Sequence, residues 1–195
     1  MKRLGIQIVF IAAIAVFMQS CSRSVTRIDP DKEIDISGKW NDVDSKLTAE
    51  AMVDQILSEI WLKNHMRDIK EKPVVIVGFV KNKSHEHIDA ETFMKDIEKS
   101  FITSQKVRLV QGGEKREAIR AERADQQDNS SVSTMKKWGL EVGADYMLQG
   151  SINSIVDALD RKKVVYYQID LELTNIQTNE IVWIGDKKIK KFVKN

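Results

Sequence analysis

The chain has 195 residues with 31 basic and 29 acidic side chains, a formal net charge of +2, and a single cysteine. Lys2 and Arg3 account for the basic excess, so the sequence after residue 20 carries 29 charges of each sign. Proteins that bind nucleic acids usually show a large basic excess or a basic stripe, which this sequence lacks. One cysteine cannot form a disulfide within the chain. The composition therefore argues against a nucleic-acid partner and against a disulfide-stabilised fold.

The N-terminus has the features of an export signal. Two basic residues precede an apolar run at residues 6–18, which is shorter than the roughly 20 residues of a transmembrane helix. This pattern predicts a signal peptide over residues 1–20. The small residue Ser20 followed by Cys21 resembles a bacterial lipobox, in which the cysteine is lipidated and becomes the new N-terminus. Cys21 is therefore the predicted lipidation site, and an ordinary signal peptide with an incidental cysteine or an uncleaved anchor are the alternatives.

Residues 21–44 are predicted to form the lipidated cysteine and a short tether. The segment is polar and contains Pro30 and Gly38. A fully extended chain of this length spans at most about 80 Å, and a flexible coil averages about 25–30 Å. The globular domain is predicted to follow over residues 45–195.

The first half of the domain alternates helices with short apolar strands. Asp44 or Ser45 is predicted to cap a helix whose apolar stripe repeats at helical spacing. The stripe consists of Val53, Ile56, Leu57, Ile60 and Trp61. The run PVVIVGFV at residues 73–80 indicates a strand buried on both faces. A helix capped by Asp89 leads to a second strand at 106–110, and a helical crossover of this kind favours parallel pairing. The buried face of the helix capped by Asp89 is predicted to contain Phe93, Ile97 and Phe101.

The second half is predicted to end in three antiparallel strands. After Gly112 and Gly113, a polar helix is expected on the surface, followed by a helix around Met135 and Trp138 that ends at Gly143. Residues 146–156, 164–174 and the segment from Glu180 onward alternate apolar and polar side chains, which is typical of an antiparallel meander with one buried face. The predicted fold class is α/β (α+β), a mixed sheet flanked by helices with a C-terminal antiparallel three-strand meander.

The search for catalytic chemistry predicts no catalytic, cofactor-binding or metal-binding residues. His85 and His87 flank Glu86, but a zinc site normally needs three or four ligands, and no further ligand converges with them in the sequence. A solvated loop is the alternative to opportunistic metal binding there. The stretch QGGEKRE lacks the spacing of a phosphate-binding loop, and the sequence contains no G-x-S-x-G motif. The lysine-rich C-terminus suits either contact with anionic lipid or glycan phosphate, or protection of an edge strand.

Several motifs resemble, in the same order, the penicillin-binding protein activator LpoB family. They are VVIVGFVKNKSHEHID, VRLV, GADYMLQGSI and YQIDLELTNIQTNEIVW, which lie between residues 73 and 190. The resemblance implies a domain similar to the N-terminal domain of TolB, in a non-enzymatic lipoprotein held in the outer membrane with the domain in the periplasm. It also implies binding and activation of a bifunctional, class A penicillin-binding protein, and hence regulation of peptidoglycan synthesis.

Two features depart from the family's pattern, the tether and one turn residue. The well-known activators carry a long proline-rich linker, whereas this tether is short and holds only Pro30. Asn179 replaces a glycine that is common in the turn before Glu180, and asparagine also tolerates a positive φ. The rival functions are an envelope assembly or transport lipoprotein related to the curli secretion CsgG group, a structural lipoprotein with another partner, and a metal-dependent wall hydrolase that uses His85 and His87. The oligomeric state is not predicted.

Overall fold

The computed structural model describes residues 24–29, 32–131, 133 and 141–194. The chain divides into two units, residues 1–32 and 33–195. The described residues of the first unit are exposed and form neither helix nor strand. The signal segment 1–20 and Cys21 lie outside the described residues. Within the part of the chain that is described, no helix combines the length and apolar character needed to cross a bilayer.

The second unit contains four helices and five strands among its described residues. The helices are α1 (Asp42–Ser58), α2 (Ile60–Ile69), α3 (Ala90–Ser104) and α4 (Gly113–Asn129). The strands are β1 (Val74–Asn82), β2 (Arg108–Leu109), β3 (Tyr146–Leu159), β4 (Lys162–Asn175) and β5 (Ile181–Lys194).

The five strands form one mixed sheet in the order β2-β1-β3-β4-β5. β1 pairs in parallel with both β2 and β3, because α3 carries the chain back to the same end of the sheet between β1 and β2. β3, β4 and β5 are consecutive antiparallel neighbours. The arrangement confirms the predicted fold class, including the C-terminal three-strand meander.

The first predicted helix is two helices, and it begins earlier than expected. Asn41 caps α1 in a capping box: its side chain accepts from the Asp44 N–H, and the Asp44 carboxylate accepts from the Asn41 N–H. The predicted caps at Asp44 and Ser45 are therefore wrong. Glu59 has extended backbone angles and separates α1 from α2. This break turns Ile60 outward, while Trp61 stays buried with the rest of the stripe.

The core lies between the sheet and helices α1 and α3. All three residues predicted for the buried face of α3, namely Phe93, Ile97 and Phe101, are fully buried. They meet the inward-facing side chains of the central strands, which alternate along β4 as the period-two pattern predicts: Val165, Tyr167, Ile169, Leu171 and Leu173. β1 is buried on both alternations from Val74 to Val77, which confirms the predicted central strand.

Helix α4, which lies between β2 and β3 in sequence, has no buried residue, as its polar sequence predicts. The next predicted helix, around Met135 and Trp138, lies mostly outside the described residues. Gly143 is described and lacks the positive φ that a helix-ending glycine often has, so that part of the prediction is wrong.

Candidate functional site

A groove of about 920 Å³ lies at one end of the sheet. One wall is helix α2, and the other is formed by the starts of β3 and β5 and by the turn that joins β4 to β5. We call this the distal groove; its lining residues include Ile60, Trp61, His65, Asp68, Ile69, Tyr146, Asn175, Ile176, Glu180 and Ile181.

Three aromatic rings pack against each other at the base of the distal groove. Trp61 and Tyr146 meet edge to face with ring centroids 5.1 Å apart, and His65 meets Tyr146 at 5.4 Å. The Trp61 indole donates to the Ile56 carbonyl oxygen at 2.6 Å, a bond that crosses the break between α1 and α2. The break would otherwise leave α2 free to turn, so this bond and the ring contacts fix one wall of the groove.

Two polar groups meet beneath the rings. The Tyr146 hydroxyl lies 3.0 Å from Nδ1 of His65, within hydrogen-bond distance. The other ring nitrogen of His65, Nε2, finds no hydrogen-bond partner among the described residues, although the residue is only 7% exposed. Burial and the nearby Asp145 carboxylate raise the pKa of Tyr146 above its ordinary value, which keeps the hydroxyl neutral.

The rim of the distal groove is apolar with two carboxylates. Four isoleucines expose much of their side chains to solvent: Ile60, Ile69, Ile176 and Ile181. Asp68 and Glu180 lie among them. The Arg67 guanidinium bonds Asp68 and lowers the pKa of its carboxyl group, so the rim keeps a negative charge. An apolar rim around a polar base is suited to recognition of another molecule.

The GADY motif builds the corner from which the groove opens. The Asp145 side chain accepts from the Val74 N–H at 2.8 Å, and its own N–H donates to the Val74 carbonyl oxygen at 2.8 Å. The Asp145 carbonyl oxygen accepts from the Ile176 N–H at 2.9 Å. One residue therefore joins the start of β1, the start of β3 and the turn after β4.

Hydrogen bonds within the turn between β4 and β5, which closes the groove, stabilise the conformation of that turn. Asn175 accepts side-chain hydrogen bonds from the N–H groups of Gln177 and Thr178, and its own N–H donates to the Glu180 carbonyl oxygen. Asn179 has a φ of 61°, which confirms that asparagine takes the left-handed position common for glycine in this turn. The turn is thus specified by side chains that lie within five residues of one another in sequence.

The loop with the two histidines is ordered by its neighbours. The Asn82 side chain donates to the carbonyl oxygens of Glu86 and Ile88 and accepts from the Ser84 N–H. His85 Nδ1 lies 2.6 Å from the Ser154 hydroxyl on β3. In the described parts of the chain, no three His, Cys, Asp or Glu side chains come together as metal ligands would.

The polar centre of this loop is Glu86, which the sequence analysis passed over in favour of the histidines. Its carboxylate accepts from the Trp40 N–H at 3.1 Å and bonds the Tyr167 hydroxyl. His85 Nε2 lies 3.3 Å from the second carboxylate oxygen, within ion-pair distance but without hydrogen-bond geometry. Burial and the Glu86 carboxylate raise the pKa of Tyr167 far above its ordinary value. This cluster links the segment before α1 to the centre of the sheet.

His65 and Tyr146 are not recognisable from the sequence as members of one site. The sequence does indicate that His65 is buried, because it follows Trp61 by four residues and extends the buried stripe of the preceding helix. The partner Tyr146 is 81 residues away in sequence, so no local pattern connects the two.

In the groove and in the histidine loop, hydrogen bonds hold polar side chains in positions that shape the surface. These features are those of a binding domain on an α+β scaffold. The model of the peptidoglycan-synthase activator LpoB family matches residues 44–189, and the chain belongs to this family. Members of the family are regulatory activators and not enzymes, which confirms that prediction.

Solved structures of the same family are similar to the chain. The C-terminal domain of LpoB from Salmonella enterica is 19% identical with a TM-score of 0.44, covering 76% of this chain and 99% of that one. The corresponding domain from Escherichia coli is 20% identical with a TM-score of 0.44 and the same coverage. An NMR structure of Escherichia coli LpoB is 16% identical with a TM-score of 0.42, covering 91% of this chain and 84% of that one. No curated protein gives a significant match.

Proposed function

We propose that this protein is a lipoprotein of the outer membrane that binds a bifunctional, class A penicillin-binding protein in the periplasm and activates its peptidoglycan synthesis. The observation that carries the proposal is the match of the peptidoglycan-synthase activator family over residues 44–189. The protein has no catalytic role of its own and acts through contact with the synthase.

The anchor is the lipid on Cys21, after removal of residues 1–20. A diacylglyceryl group and an amide-linked acyl chain together give stable membrane attachment, which a single chain does not. Intact mass measurement of the protein purified from membranes tests this step. We expect the mass of a triacylated chain that begins at Cys21, and we expect Cys21→Ser to lack the acyl mass and to leave the membranes when they are washed with concentrated salt.

The synthase is proposed to dock at the distal groove. Interfaces between proteins bury apolar side chains, and the four exposed isoleucines at the rim, around the His65–Tyr146 pair, provide apolar surface for this contact. The unpartnered Nε2 of His65 would form a hydrogen bond with a polar group of the partner after a small opening of the groove.

Photo-cross-linking in cells tests this surface. A photoreactive residue at Ile69 or Ile176 is expected to capture a class A penicillin-binding protein, because both side chains are exposed at the rim. Ile102 is an equally exposed isoleucine on α3, away from the groove, and serves as the matched control. Equal capture from Ile102, or capture of other proteins only, would remove the groove from the proposal.

An activity assay tests activation separately from docking. The purified protein is expected to increase the rate of glycan-strand synthesis by the captured synthase in detergent. Ile176→Glu adds a charge at the groove and should reduce this stimulation about tenfold or more, since an unpaired charge at an interface costs several kcal/mol. Ile102→Glu should stimulate like the wild type. A synthase that is captured at the groove but not stimulated would support binding and contradict activation.

A further inference from the structure

The end of the sheet opposite the distal groove carries a second surface, which the proposed function does not use. On the face of β3, β4 and β5 that points away from α1 and α3, three side chains of each strand lie in adjacent rows around the β3–β4 turn. We call this surface the basic end. Its nine positions are Ile155, Asp157, Leu159, Lys162, Val164, Tyr166, Lys190, Phe192 and Lys194.

The basic end exposes large apolar side chains among cations. Leu159, Ile155 and Phe192 are 75%, 66% and 64% exposed. Lysines flank them on β4 and β5, and Arg161 lies in the turn. Lys163 lies at the same end on the other face of the sheet. The cationic side chains of Arg161, Lys162, Lys163, Lys190 and Lys194 outnumber the carboxylates of Asp157 and Asp160. Nearer the middle of the same face, Asn153, Asp170 and Gln168 are joined by hydrogen bonds.

The chain that leads to the anchor enters the domain at this same end. Lys191 bonds the Asp35 carboxylate at 3.0 Å and the Lys39 carbonyl oxygen at 3.0 Å. Gly38 packs directly against Val193, where a side chain at residue 38 would clash. Both contacts lie within three residues of the end of β5. A strand of 14 residues spans about 45 Å, so the distal groove lies far from this point.

We propose that the basic end is a docking surface for an anionic phospholipid bilayer. Lysine and arginine side chains next to a membrane gain from the negative surface potential, while exposed apolar side chains enter the interfacial region. A second copy of this chain is a poorer occupant, because pairing two basic ends would bring like charges together. The position of the bilayer beside this end rests on the proposed lipid anchor at Cys21. Contact there would orient the distal groove toward the periplasm.

Vesicle flotation tests the surface without the lipid anchor. The chain from residue 21 onward, with Cys21→Ser, would be mixed with vesicles of equal parts phosphatidylcholine and phosphatidylglycerol, and with vesicles of phosphatidylcholine alone. We expect binding to the anionic vesicles, weakened by salt because exposed charges are screened. Lys162→Glu with Lys194→Glu should weaken binding about tenfold or more, and Leu159→Ser with Phe192→Ser should also weaken it.

The matched control reverses two exposed lysines near the other end of the sheet, Lys72→Glu with Lys106→Glu. These carry the same change in net charge and should leave vesicle binding within about twofold of the unmodified chain, since attraction to the membrane falls off within a Debye length. Equal loss in both double variants, equal binding to neutral vesicles, or no binding to either vesicle would overturn the proposal. Binding to heparin without vesicle binding, or a dimer that the basic-end variants dissociate, would also overturn it.

Synthase stimulation in detergent, measured on the same variants, separates this inference from the proposed function. Stimulation should be unchanged in the basic-end variants, because they leave the distal groove intact. If the unmodified protein binds anionic vesicles but stimulates no synthase, the membrane surface stands and the proposed function fails.

Discussion

The Tyr167 hydroxyl lies in a buried polar cluster with Trp40 and Glu86. It accepts from the Trp40 N–H at 3.1 Å and bonds the Glu86 carboxylate. The Trp40 ring packs edge to face on Tyr167, with centroids 5.6 Å apart. The Tyr167 side chain has no exposed surface, and hydrogen bonds in a buried cluster are stronger than they would be in water.

Tyr167→Phe tests that cluster. Removing the hydroxyl deprives the buried Glu86 carboxylate of a donor, and we expect the free energy of unfolding to fall by about 1–3 kcal/mol at about pH 7. Urea denaturation followed by tryptophan fluorescence gives this value. Tyr166→Phe is the control, because Tyr166 is the sequence neighbour on the opposite face and its hydroxyl donates to Gln168.

The pH dependence of the same variant has a definite sign. A pKa raised in the folded state means that the unfolded chain loses its proton first, at its ordinary pKa of about 10. The stability that Tyr167 provides is therefore complete below about pH 9 and is lost as the pH rises above about 10. Above about pH 10 the wild type should therefore lose stability with rising pH more steeply than Tyr167→Phe. Parallel loss in the two proteins would contradict the raised pKa.

At the scale of elements, the pairing of β3 with β4 depends on one close approach. A side chain at Gly150 would clash with the Asp170 carbonyl oxygen and come within 2.6 Å of Leu171 Cδ2. Both neighbours belong to the partner strand, so the strands would have to separate for a side chain to fit. Gly143, in the same motif, has open space at the corresponding position.

These two glycines give a matched pair of substitutions. Gly150→Ala should destabilise the domain by about 3 kcal/mol, because overpacking at backbone displaces a whole strand. Gly143→Ala should change stability by less than about 0.5 kcal/mol. Thermal unfolding of both variants measures the difference, and similar melting temperatures would show that the strands tolerate a side chain at residue 150.

The start of α1 provides a second element-scale prediction. Asn41 holds both bonds of the capping box, so Asn41→Ala should cost about 1 kcal/mol. Glu50→Ala alters an exposed residue in the same helix and should change stability by less than about 0.5 kcal/mol. Equal effects in urea denaturation would mean that the cap contributes little.

At the scale of the whole molecule, Lys191 joins the segment before α1 to the last strand. Its ammonium group bonds Asp44 at 2.6 Å and Asp35 at 3.0 Å, with only 8% of the side chain exposed. Burial opposes the charge, but the two carboxylates outweigh it and raise the pKa of Lys191. The stability from this group is therefore present below about pH 10 and is lost at higher pH.

Lys191→Met should release that segment. The change leaves the nearly buried Asp44 carboxylate without its cation, and we expect a loss of about 3 kcal/mol. Hydrogen exchange should quicken at residues 33–41 before it quickens in the centre of β4, because local contacts are lost first. Lys190→Met alters the exposed neighbour and should leave exchange at 33–41 unchanged. Uniform acceleration across the chain would contradict a local role for Lys191.

The sequence by itself determined the elements whose burial pattern is periodic. Alternation in β3, β4 and β5, the doubly apolar run of β1 and the stripe of α3 each report which side chains face the core, because burial repeats with the geometry of the element. The family motifs could also be recognised from the sequence, as could the tolerance of Asn179 for the positive φ that it adopts.

Only the tertiary structure decided which distant residues meet. The break at Glu59 has no proline or glycine to mark it, so the sequence predicted one helix where there are two. His65 with Tyr146, Glu86 with Trp40, and Lys191 with Asp35 are separated by 46 to 156 residues. Contacts of this kind depend on strand order and on the path of the chain, which local periodicity does not record. The groove, the buried cluster and the position of the basic end follow from that path.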